Sequence, residues 1–582
     1  MKPGRGSKLW FLLLIIRQII PALGLTLQSP LRSSRPSRYD DGSRSSQPST
    51  HLPPVLFPSD EELAVHLPDW KERGTRQAEY RTKPGITLKG ELKSHGEPKQ
   101  KCPESSSIKP CSCKERTSGL DITCEGIGLV DLQAVTDQLK SHNQVSVQEY
   151  NGFAQIGYFK IRDCRIPKFP DYIFMGLKIV HLLVYNCEVQ SLMPNSLSSL
   201  AGSLKHLVLS NNKLHEVPKM ALRQLRELDH LNLNQNNITI IKEGAFWGLS
   251  KVTRLSLYDN KLKEIENGAF DGLTKLQSSP HSQVKGDLLR LNVGRNHLSE
   301  IPRDAIVSLK NLNQLDLSEN KIEHIKPGVF QGMDRLDTLT LNHNYLQELG
   351  PGGFEGLSKL TSLSLDYNKI NTIDPEAFKG LEEQMQSLSM TNNKLTSLPT
   401  SALRPLHQLT TLHLDDNNLH QLEEGAFQGF GEHIKNLWLQ NNHISLIPLT
   451  TFDDLHSIEW LKLYNNELTT LHYELMEPVL DTLKHIDIHS NPLICDCEMR
   501  WYKKWFNAEW QEIDQDYIKA THCVDPEDGR EHLISEVSLD HMYCIAPEES
   551  SSPGAGLSTM PSLHQELAAL LLHCLLYVYV QY

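Results

Sequence analysis

The sequence predicts an α/β solenoid, a stack of about 14 short strand-and-turn units with one parallel sheet and a disulfide cap at each end. Three observations support this fold class. A pattern of the form L-x-x-L-x-L-x-x-N recurs along the chain, an apolar half-pattern such as GAFWGL follows it at a fixed offset, and cysteine clusters flank the repeated region. Such self-similarity is typical of solenoids, because each unit needs neighbours to bury its apolar side.

One complete unit occupies residues 228–251, LDHLNLNQNNITIIKEGAFWGLSK. Leu231 and Leu233 are two residues apart, so both point to the same side of a short strand. Leu228 and Phe246 enter the same interior from the turns before and after that strand. We expect the strands of successive units to pair in parallel, about 4.8 Å apart, and to build one continuous core.

An asparagine ends each strand pattern. The chain bends away from the sheet there and leaves backbone groups without sheet partners, which a buried asparagine can satisfy as donor and acceptor. The sequence therefore predicts a ladder of buried asparagines, one per unit: Asn212, Asn236, Asn260, Asn296, Asn320, Asn344, Asn368, Asn393, Asn417, Asn442, Asn466 and Asn491. Their spacing is 24 or 25 residues, except for the 36 between Asn260 and Asn296.

Twelve extra residues, SSPHSQVKGDLL at 278–289, account for the long interval. We interpret them as a surface loop, either a binding loop or, as we favour, a neutral one, because longer loops cost little extra free energy. The two earliest units carry Cys164 and Cys187 in the asparagine position. Their Cα atoms should lie about 5 Å apart, within disulfide range. We favour the alternative of two buried thiols that act as small apolar residues.

Eight further cysteines flank the repeats. Four precede and four follow them, as C-x8-C-x-C-x10-C and C-x-C-x25-C-x20-C: Cys102, Cys111, Cys113 and Cys124, then Cys495, Cys497, Cys523 and Cys544. A solenoid needs caps because its end units would otherwise expose core and open strand edges. Zinc binding is the alternative role of C-x-C pairs, but a secreted chain favours disulfides.

With these patterns, about three quarters of the chain resembles the extracellular class of leucine-rich repeat (LRR) proteins, curved horseshoes with their strands on the concave side. It is similar to ectodomains of the connectin, chaoptin, Slit and Nogo-receptor types and to arthropod secreted LRR proteins. The resemblance implies four disulfide pairs: Cys102–Cys113, Cys111–Cys124, Cys495–Cys523 and Cys497–Cys544.

The N-terminus has the features of a secretory signal peptide. Basic residues precede an apolar core from Leu9 to Ile16, and Ala22, Leu23 and Gly24 form a small-residue cleavage site. Arg17 interrupts the apolar segment, so a signal anchor is the alternative. The following Ser-, Pro- and basic-rich stretch is predicted to be a disordered leader.

The C-terminus is typical of a glycosylphosphatidylinositol (GPI) attachment signal. Small residues at 554–556, with Gly554 the favoured acceptor, precede a polar spacer and an apolar run from Leu567 to Val580. That run is too short to span a bilayer comfortably, although a short membrane span and an uncleaved secreted tail are the alternatives. Cleavage at Gly554 would remove Cys574 with the tail.

These interpretations divide the chain into seven segments. They are a signal peptide (1–24), a leader (25–101), an N-terminal cap (102–140), the repeats (141–491), a C-terminal cap (492–544), a linker with the GPI site (545–566) and a hydrophobic tail (567–582).

The solvent-facing positions of the strands follow from the register. The aromatic residues Trp438, Trp460 and Tyr464, with His413 and His485 beside them, form a candidate protein-binding cluster, because Trp and Tyr are enriched among binding hot spots. The alternative is that the rings pack against each other or the C-terminal cap. Early units carry a basic stretch and middle units an acidic one: Lys160, Arg162, Lys205, Arg254, Arg290 and Arg295, then Asp316, Glu319, Asp337, Asp366, Asp415 and Asp416.

Three histidines, His181, His206 and His230, share one position in successive units. Imidazoles about 5 Å apart could bind a metal or titrate together near pH 6. We favour simple solvated histidines, because the outer two would be about 10 Å apart, too far for one zinc ion. We predict no metal site and no cofactor. The sequon at Asn237 predicts a glycan.

Function is expected to be recognition without catalysis. The net charge of −13 argues against nucleic acid as a partner, and the usual hydrolase, metalloprotease and nucleotide-binding motifs are absent from the sequence. The resemblance implies an extracellular protein that binds a protein ligand or co-receptor on its concave face, in adhesion or as a GPI-anchored co-receptor at the membrane. The alternatives are a secreted non-catalytic subunit of an enzyme and an extracellular-matrix binding protein.

Overall fold

The computed structural model describes residues 101–150, 155–273, 287–508 and 521–544. The predicted signal peptide, nearly all of the leader, the GPI site at Gly554, the tail and most of the 278–289 insertion lie outside these residues. Within the described ranges, no helix has the length and apolar character needed to span a bilayer.

One sheet of 16 strands runs through the repeats, with its strands in chain order. The strands are β1 Ser112–Arg116, β2 Gly119–Glu125, β3 Gln155–Arg162, β4 Lys178–Tyr185, β5 His206–Val208, β6 His230–Asn232, β7 Arg254–Ser256, β8 Arg290–Asn292, β9 Gln314–Asp316, β10 Thr338–Thr340, β11 Ser362–Ser364, β12 Ser387–Ser389, β13 Thr411–His413, β14 Asn436–Trp438, β15 Trp460–Lys462 and β16 His485–Asp487.

Strands β1 and β2 form an antiparallel hairpin, and from β2 onward each strand pairs in parallel with the next. The 14 strands from β3 to β16 belong to the 14 predicted units, two fewer than the 16 in the sheet. The predicted fold class, a parallel-strand solenoid with disulfides near both ends, is therefore confirmed.

The core lies between the sheet and the turns on the opposite side. Leu228, Leu231, Leu233 and Phe246 are all fully buried, as their spacing predicts. Successive phenylalanines stack along the solenoid, with ring centroids 5.8 Å apart for Phe246 and Phe270. The core is therefore continuous from unit to unit, and no unit is closed by itself.

The turns opposite the sheet follow two local sequences. Units with the pattern P-x-x-A form one-turn helices, and a fourth such helix starts after a histidine: Lys219–Leu222, Arg303–Ile306, Thr400–Leu403 and Tyr473–Met476. Units with GAF or a similar sequence form glycine turns instead. Gly248 has a φ of +96°, and a Cβ there would lie 2.1 Å from the Arg223 carbonyl oxygen, so this turn requires glycine.

Short elements complete the turn side. Pairs of two-residue parallel strands link neighbouring units: Lys168–Phe169 with Ser191–Leu192, Ile240–Ile241 with Glu264–Ile265, and Glu348–Leu349 with Thr372–Ile373. Three 3₁₀ turns are also present, at Ser198–Leu200, Asp271–Leu273 and Cys497–Met499. These elements are too short to bury a core by themselves, so they depend on the stack.

The twelve ladder asparagines are all buried. Asn236 shows the geometry: its Oδ1 accepts from the backbone N–H of Leu214 at 3.0 Å, and its Nδ2 donates to the carbonyl oxygens of Leu209 at 2.9 Å and Leu233 at 3.0 Å. One side chain therefore joins its own unit to the preceding one. The residue before each ladder asparagine has a φ between 49° and 57°, which turns the chain away from the sheet.

The two earliest units differ from the rest. Cys164 and Cys187 form a disulfide with a Cα–Cα distance of 4.2 Å, so the expectation of two free thiols is wrong. Equivalent positions on adjacent strands lie within bonding reach of each other. The backbone N–H of Ile166 donates to the carbonyl oxygen of Cys187 at 3.0 Å, which replaces the missing asparagine side chain.

Disulfides close both ends of the repeats. The N-terminal cap contains Cys102–Cys113 and Cys111–Cys124, with the helix α1, Leu129–Tyr150, after the hairpin. The C-terminal cap contains Cys495–Cys523 and Cys497–Cys544, the helix α2, Arg500–Ala508, and an antiparallel pair, His522–Val524 with Glu531–Leu533. Trp501 anchors α2, because its indole N–H donates to the Leu471 carbonyl oxygen of the repeats at 2.6 Å.

Candidate protein-binding surface

The solvent-facing side of strands β3–β16 is called the sheet face below. In every unit, the residues on either side of the buried central leucine, isoleucine or, on β3, phenylalanine point to this face, because side chains alternate along a strand. On β14 and β15 the register pairs Trp438 with Lys462 and Asn436 with Trp460. The two indoles are therefore diagonal neighbours on adjacent strands.

Trp438 is half-buried and held by two neighbours. Its ring meets the imidazole of His413 edge to face, with ring centroids 3.8 Å apart. The Lys462 ammonium lies 4.7 Å from the indole centroid, a cation–π contact. Within the described residues, its indole N–H has no acceptor, so one polar group of this cluster is unsatisfied.

Trp460 is the most accessible ring of the cluster, with 43% of the residue exposed. It rests on the imidazole of His485 at a centroid distance of 4.7 Å. Tyr464, two positions beyond the end of β15, stacks on His489 at 4.6 Å and an interplanar angle of 11°. Each exposed aromatic ring thus lies on a histidine from the neighbouring unit.

His413 and His485 lie beneath the indoles. They are only 7% and 5% exposed, so they offer a partner almost no surface. His413 Nδ1 also lies 3.8 Å from Asp415 Oδ1. The two predicted binding histidines therefore orient Trp438 and Trp460, and the rings carry the accessible area.

The acidic stretch of the middle units is engaged in internal hydrogen bonds. Asp366 Oδ1 accepts from the hydroxyl of Ser389 at 2.5 Å and from the backbone N–H of Thr391 at 2.9 Å. Asp415 accepts from the Thr391 hydroxyl at 3.0 Å. Burial raises the pKa of Asp316, while hydrogen bonds from Ser318 act in the opposite direction. These carboxylates form part of a polar network across the strands.

The basic stretch divides into two groups. Three of its members form ion pairs, Lys160 with Asp121 at 3.3 Å, Arg162 with Glu125 at 2.6 Å, and Arg295 with Asp259 at 3.5 Å. Across the described ranges, Lys205, Arg254 and Arg290 have no carboxylate oxygen within 4.0 Å. Since the first three charges are largely compensated, the uncompensated positive charge of the early units is on the second group.

The three histidines at one sheet position form a ring stack with Tyr158. The centroid distance is 4.3 Å from Tyr158 to His181, 4.4 Å from His181 to His206 and 5.6 Å from His206 to His230. Burial lowers the pKa of His181 to about 3 and of His230 to about 4, and positive neighbours act in the same direction. The outer two histidines are therefore neutral near pH 6, and burial lowers the pKa of His206 as well, so the structure does not favour a joint switch near that pH.

The described residues contain three groups of side chains whose potential metal ligands lie within 4.8 Å of one another. None includes the histidine column. One consists largely of the disulfide-bonded Cys497 and Cys544, and the others are at exposed acidic positions, around His472 and His532. This geometry does not assign an ion to any of them.

The sequon asparagine Asn237 is half-buried, next to the buried ladder residue Asn236. Its backbone N–H donates to the Leu214 carbonyl oxygen at 2.8 Å. The structure thus separates the two neighbouring asparagines, one into the ladder and one toward the surface. Attachment of a glycan at Asn237 stays a prediction.

Three residues of the aromatic cluster were missed by the sequence analysis. Lys462 covers Trp438, His489 supports Tyr464, and the buried Gln440 has a side-chain oxygen without a donor in the described part of the chain. Lys462 and His489 occupy the same unit positions as Trp438 and Tyr464, one strand later. Register could have identified them, whereas the hydrogen bonding of Gln440 depends on side-chain conformations.

Comparison with protein families finds the leucine rich repeat, matched at residues 202–262, 287–346, 334–383, 383–432 and 432–493. These segments lie within the predicted repeat region. Comparison with curated proteins finds no match.

Several solved structures are similar. TLR13 in complex with ssRNA13 is 21% identical over 71% of this chain and 58% of its own, with a TM-score of 0.46. Toll in its Drosophila complex with Spätzle is 16% identical over 71% and 56%, with a TM-score of 0.48. An internalin from Listeria monocytogenes is 24% identical over 58% and 86%, with a TM-score of 0.44.

This chain spans little more than half of the TLR13 and Toll chains. Similarity at this level says nothing about the partner of this chain. The family match, the asparagine ladder and the parallel sheet agree on the fold, and five disulfides are typical of an oxidising, extracellular compartment. The repeats at 202–262 and 287–493 are therefore leucine-rich repeats, and the disulfides at both ends support an extracellular leucine-rich repeat protein.

Proposed function

We propose that this chain is a non-catalytic, protein-binding LRR protein of the cell surface. It acts in recognition or adhesion, or as a co-receptor held to the membrane by a GPI anchor at Gly554. The partner contacts the concave face of the solenoid at Trp438, Trp460 and Tyr464. The single observation that carries the proposal is the exposure of Trp460, 43%, on a sheet strand whose neighbouring positions also carry large rings.

The rings of this cluster are already oriented. His413, His485 and His489 each contact one ring at a centroid distance below 5 Å. A side chain immobilised before association loses less conformational entropy when a partner binds. Tryptophan and tyrosine that are pre-ordered in this way are typical of binding hot spots.

The sheet face favours binding over catalysis. A catalytic site needs a nucleophile, acid or base with access to a substrate. The carboxylates of Asp366 and Asp415 instead accept hydrogen bonds from serine and threonine neighbours. Lys462, at the edge of the aromatic cluster, would add a charged contact that selects the partner without dominating affinity.

The aromatic cluster is tested by substitution once a partner is identified in a screen against purified extracellular domains. Trp438→Ala and Trp460→Ala should each weaken partner binding by about tenfold or more, as expected for hot spots. Trp247→Ala is the matched control, because Trp247 is 66% exposed in a turn away from the sheet. Surface plasmon resonance gives the affinities and thermal unfolding gives the stability.

Two results would contradict the role of the cluster. One is an affinity of both sheet-face variants within twofold of that of Trp247→Ala. The other is a fall of many degrees in melting temperature, which would make the indoles structural.

Localisation is tested separately. Treatment of expressing cells with phosphatidylinositol-specific phospholipase C should release the protein if Gly554 carries a GPI anchor. Constitutive appearance in the medium with an intact tail would instead support a secreted subunit of an enzyme complex or a matrix-binding protein. If a Gly554→Pro variant is still fully released by the phospholipase, the anchor is attached to a residue other than Gly554.

A further inference from the structure

Among the residues that the structure describes, one pair of arginines on the early strands has no carboxylate oxygen within 4.0 Å. Arg254 on β7 and Arg290 on β8 are register partners, so their Cα atoms lie about 5 Å apart on the same face. Arg254 is exposed and Arg290 half-buried. Two like charges directly opposite each other on neighbouring strands destabilise a sheet. The repulsion between these two charges is therefore not offset by an ion pair within the described residues.

Two acidic residues whose charges act on this group, Asp229 on His230 and Asp337 on Arg290, accept hydrogen bonds from other residues. Asp229 accepts from the Thr253 hydroxyl at 2.7 Å and lies 4.0 Å from His206 Nε2. Asp337 accepts from the Thr338 hydroxyl at 2.8 Å and from the Asn313 amide at 3.4 Å. Neither forms an ion pair of 4.0 Å or less with an arginine of this pair among the described residues, although the charge of Asp337 acts on Arg290 from a longer distance.

The surroundings of the pair are polar and mostly uncharged. His230 is the register partner of Arg254 on the other side. Burial lowers its pKa to about 4, so at neutral pH it presents a neutral imidazole with one N–H donor. Burial, and then the charge of Arg254, lower the pKa of Arg290 from its usual range, while the charge of Asp337 acts in the opposite direction. The three adjacent side chains therefore supply two cations and one neutral donor.

We propose that Arg254 and Arg290, with His230 beside them, bind a phosphate or sulfate monoester on a side chain of the protein partner. This inference rests on the proposed function, since the ester is carried by the protein that contacts the sheet face. A monoester has three terminal oxygens, enough acceptors for two guanidinium groups and an imidazole N–H. A carboxylate has two, and one arginine already satisfies both in a bidentate pair.

The overall charge makes this site selective. A chain with a net charge of −13 repels anions at long range. Binding must then come from short-range contacts, and the ion-paired Arg162 and Arg295 are already occupied by carboxylates. Within the described part of the sheet face, Arg254 and Arg290 form the one register-matched pair of arginines without a carboxylate in ion-pair range.

The probes are O-phosphotyrosine and O-sulfotyrosine, titrated into the purified full chain by calorimetry at low salt, with tyrosine and acetate as references. At least one ester should bind with a dissociation constant on the order of 1 mM or lower, and the references should not. The comparison of the two esters identifies the anion that the partner carries.

Arg254→Gln and Arg290→Gln should each weaken ester binding at least tenfold, and the melting temperature should not fall, because each removes a repulsion. Arg295→Gln is the matched control, since Arg295 is on the same face but contacts Asp259 and Glu319. An equal loss of ester binding in Arg295→Gln would mean that the esters respond only to the overall charge, and it would overturn the site. Absence of ester binding to the parent chain would overturn it as well.

Two further outcomes separate this inference from the proposed function. A sulfated oligosaccharide that binds far more tightly than either tyrosine ester would assign the pair to a polysaccharide and overturn the inference. If Trp438→Ala abolishes partner binding while Arg254→Gln and Arg290→Gln leave it unchanged, the inference fails and the proposed function stands. If instead only the arginine variants lose ester binding and the tryptophan variants bind the partner normally, the inference stands and the proposed role of the aromatic cluster fails.

Discussion

The asparagine ladder makes a quantitative prediction for Asn344→Ala. The Oδ1 of Asn344 accepts from the backbone N–H of Ile322 at 3.0 Å. Its Nδ2 donates to the carbonyl oxygens of Leu317 and Leu341, both at 3.0 Å. A fourth, longer contact joins Nδ2 to the Asn342 carbonyl oxygen at 3.3 Å. Asn344 is 4% exposed, so its substitution breaks these hydrogen bonds in a site closed to bulk water.

The broken bonds are not equivalent. The two carbonyl oxygens each keep a second donor, the side chain of Asn320 or of Asn368. The N–H of Ile322 keeps none that the structure shows, and an unsatisfied buried donor costs about 1–3 kcal/mol. With a smaller loss from the two weakened carbonyl contacts, Asn344→Ala should lower the free energy of unfolding by about 2–4 kcal/mol.

Urea titration of the full chain, followed by circular dichroism, measures this change. Hydrogen exchange should show the lost protection concentrated in residues 317–346, because solenoid units interact mainly with their neighbours. Asn371→Ala is the control, since Asn371 is exposed and its loss should change stability by no more than about 0.5 kcal/mol. Equal effects of the two substitutions would refute the reasoning that the ladder stabilises the turns.

Three further predictions concern other parts of the solenoid. Gly248→Ala should lower the free energy of unfolding by at least about 1 kcal/mol, because the new Cβ would clash with the Arg223 carbonyl oxygen. Gly126→Ala is the control: a Cβ there has open space, so this variant measures the cost of the positive φ alone. The double variant Cys164→Ser, Cys187→Ser should have a free energy of unfolding lower by about 2–4 kcal/mol, measured as a lower urea midpoint. A midpoint equal to that of the parent would show that this disulfide does not stabilise the fold. Burial depresses the folded-state pKa of His230 to about 4, so the stability that the neutral ring contributes is present above pH 6.5 and is lost as the pH falls toward 4. His230→Gln should remove this part of the pH dependence of the free energy of unfolding. Identical pH profiles for the parent and the variant would disprove the shift.

Much of the fold followed from the repeat. Leu231, Leu233, Phe246 and Asn236 were placed by spacing alone, because a two-residue strand period and a fixed unit length determine which side chains meet inside. The sheet face was also predicted from register, including Trp438. What spacing could not show is how far neighbouring side chains cover one another.

The candidate surface illustrates that limit. The sequence places a basic stretch in the early units and an acidic stretch in the middle units. In the structure, Asp366 and Asp415 accept hydrogen bonds and Arg295 is ion-paired. Arg254 and Arg290, by contrast, form no ion pair within the described part of the chain. These differences depend on rotamers and on contacts with residues about 24 positions away, which a single unit does not encode.

The sequence by itself determined the period, the inward leucines and the asparagine ladder, because each is a local rule repeated at constant spacing. Only the tertiary structure decided that Cys164 and Cys187 are bonded and that His413 and His485 lie beneath the indoles. It also decided that two arginines share a face with no ion pair to either among the described residues. These features depend on how side chains from successive units pack against each other. The sequence of one unit therefore does not determine their burial or their pairing.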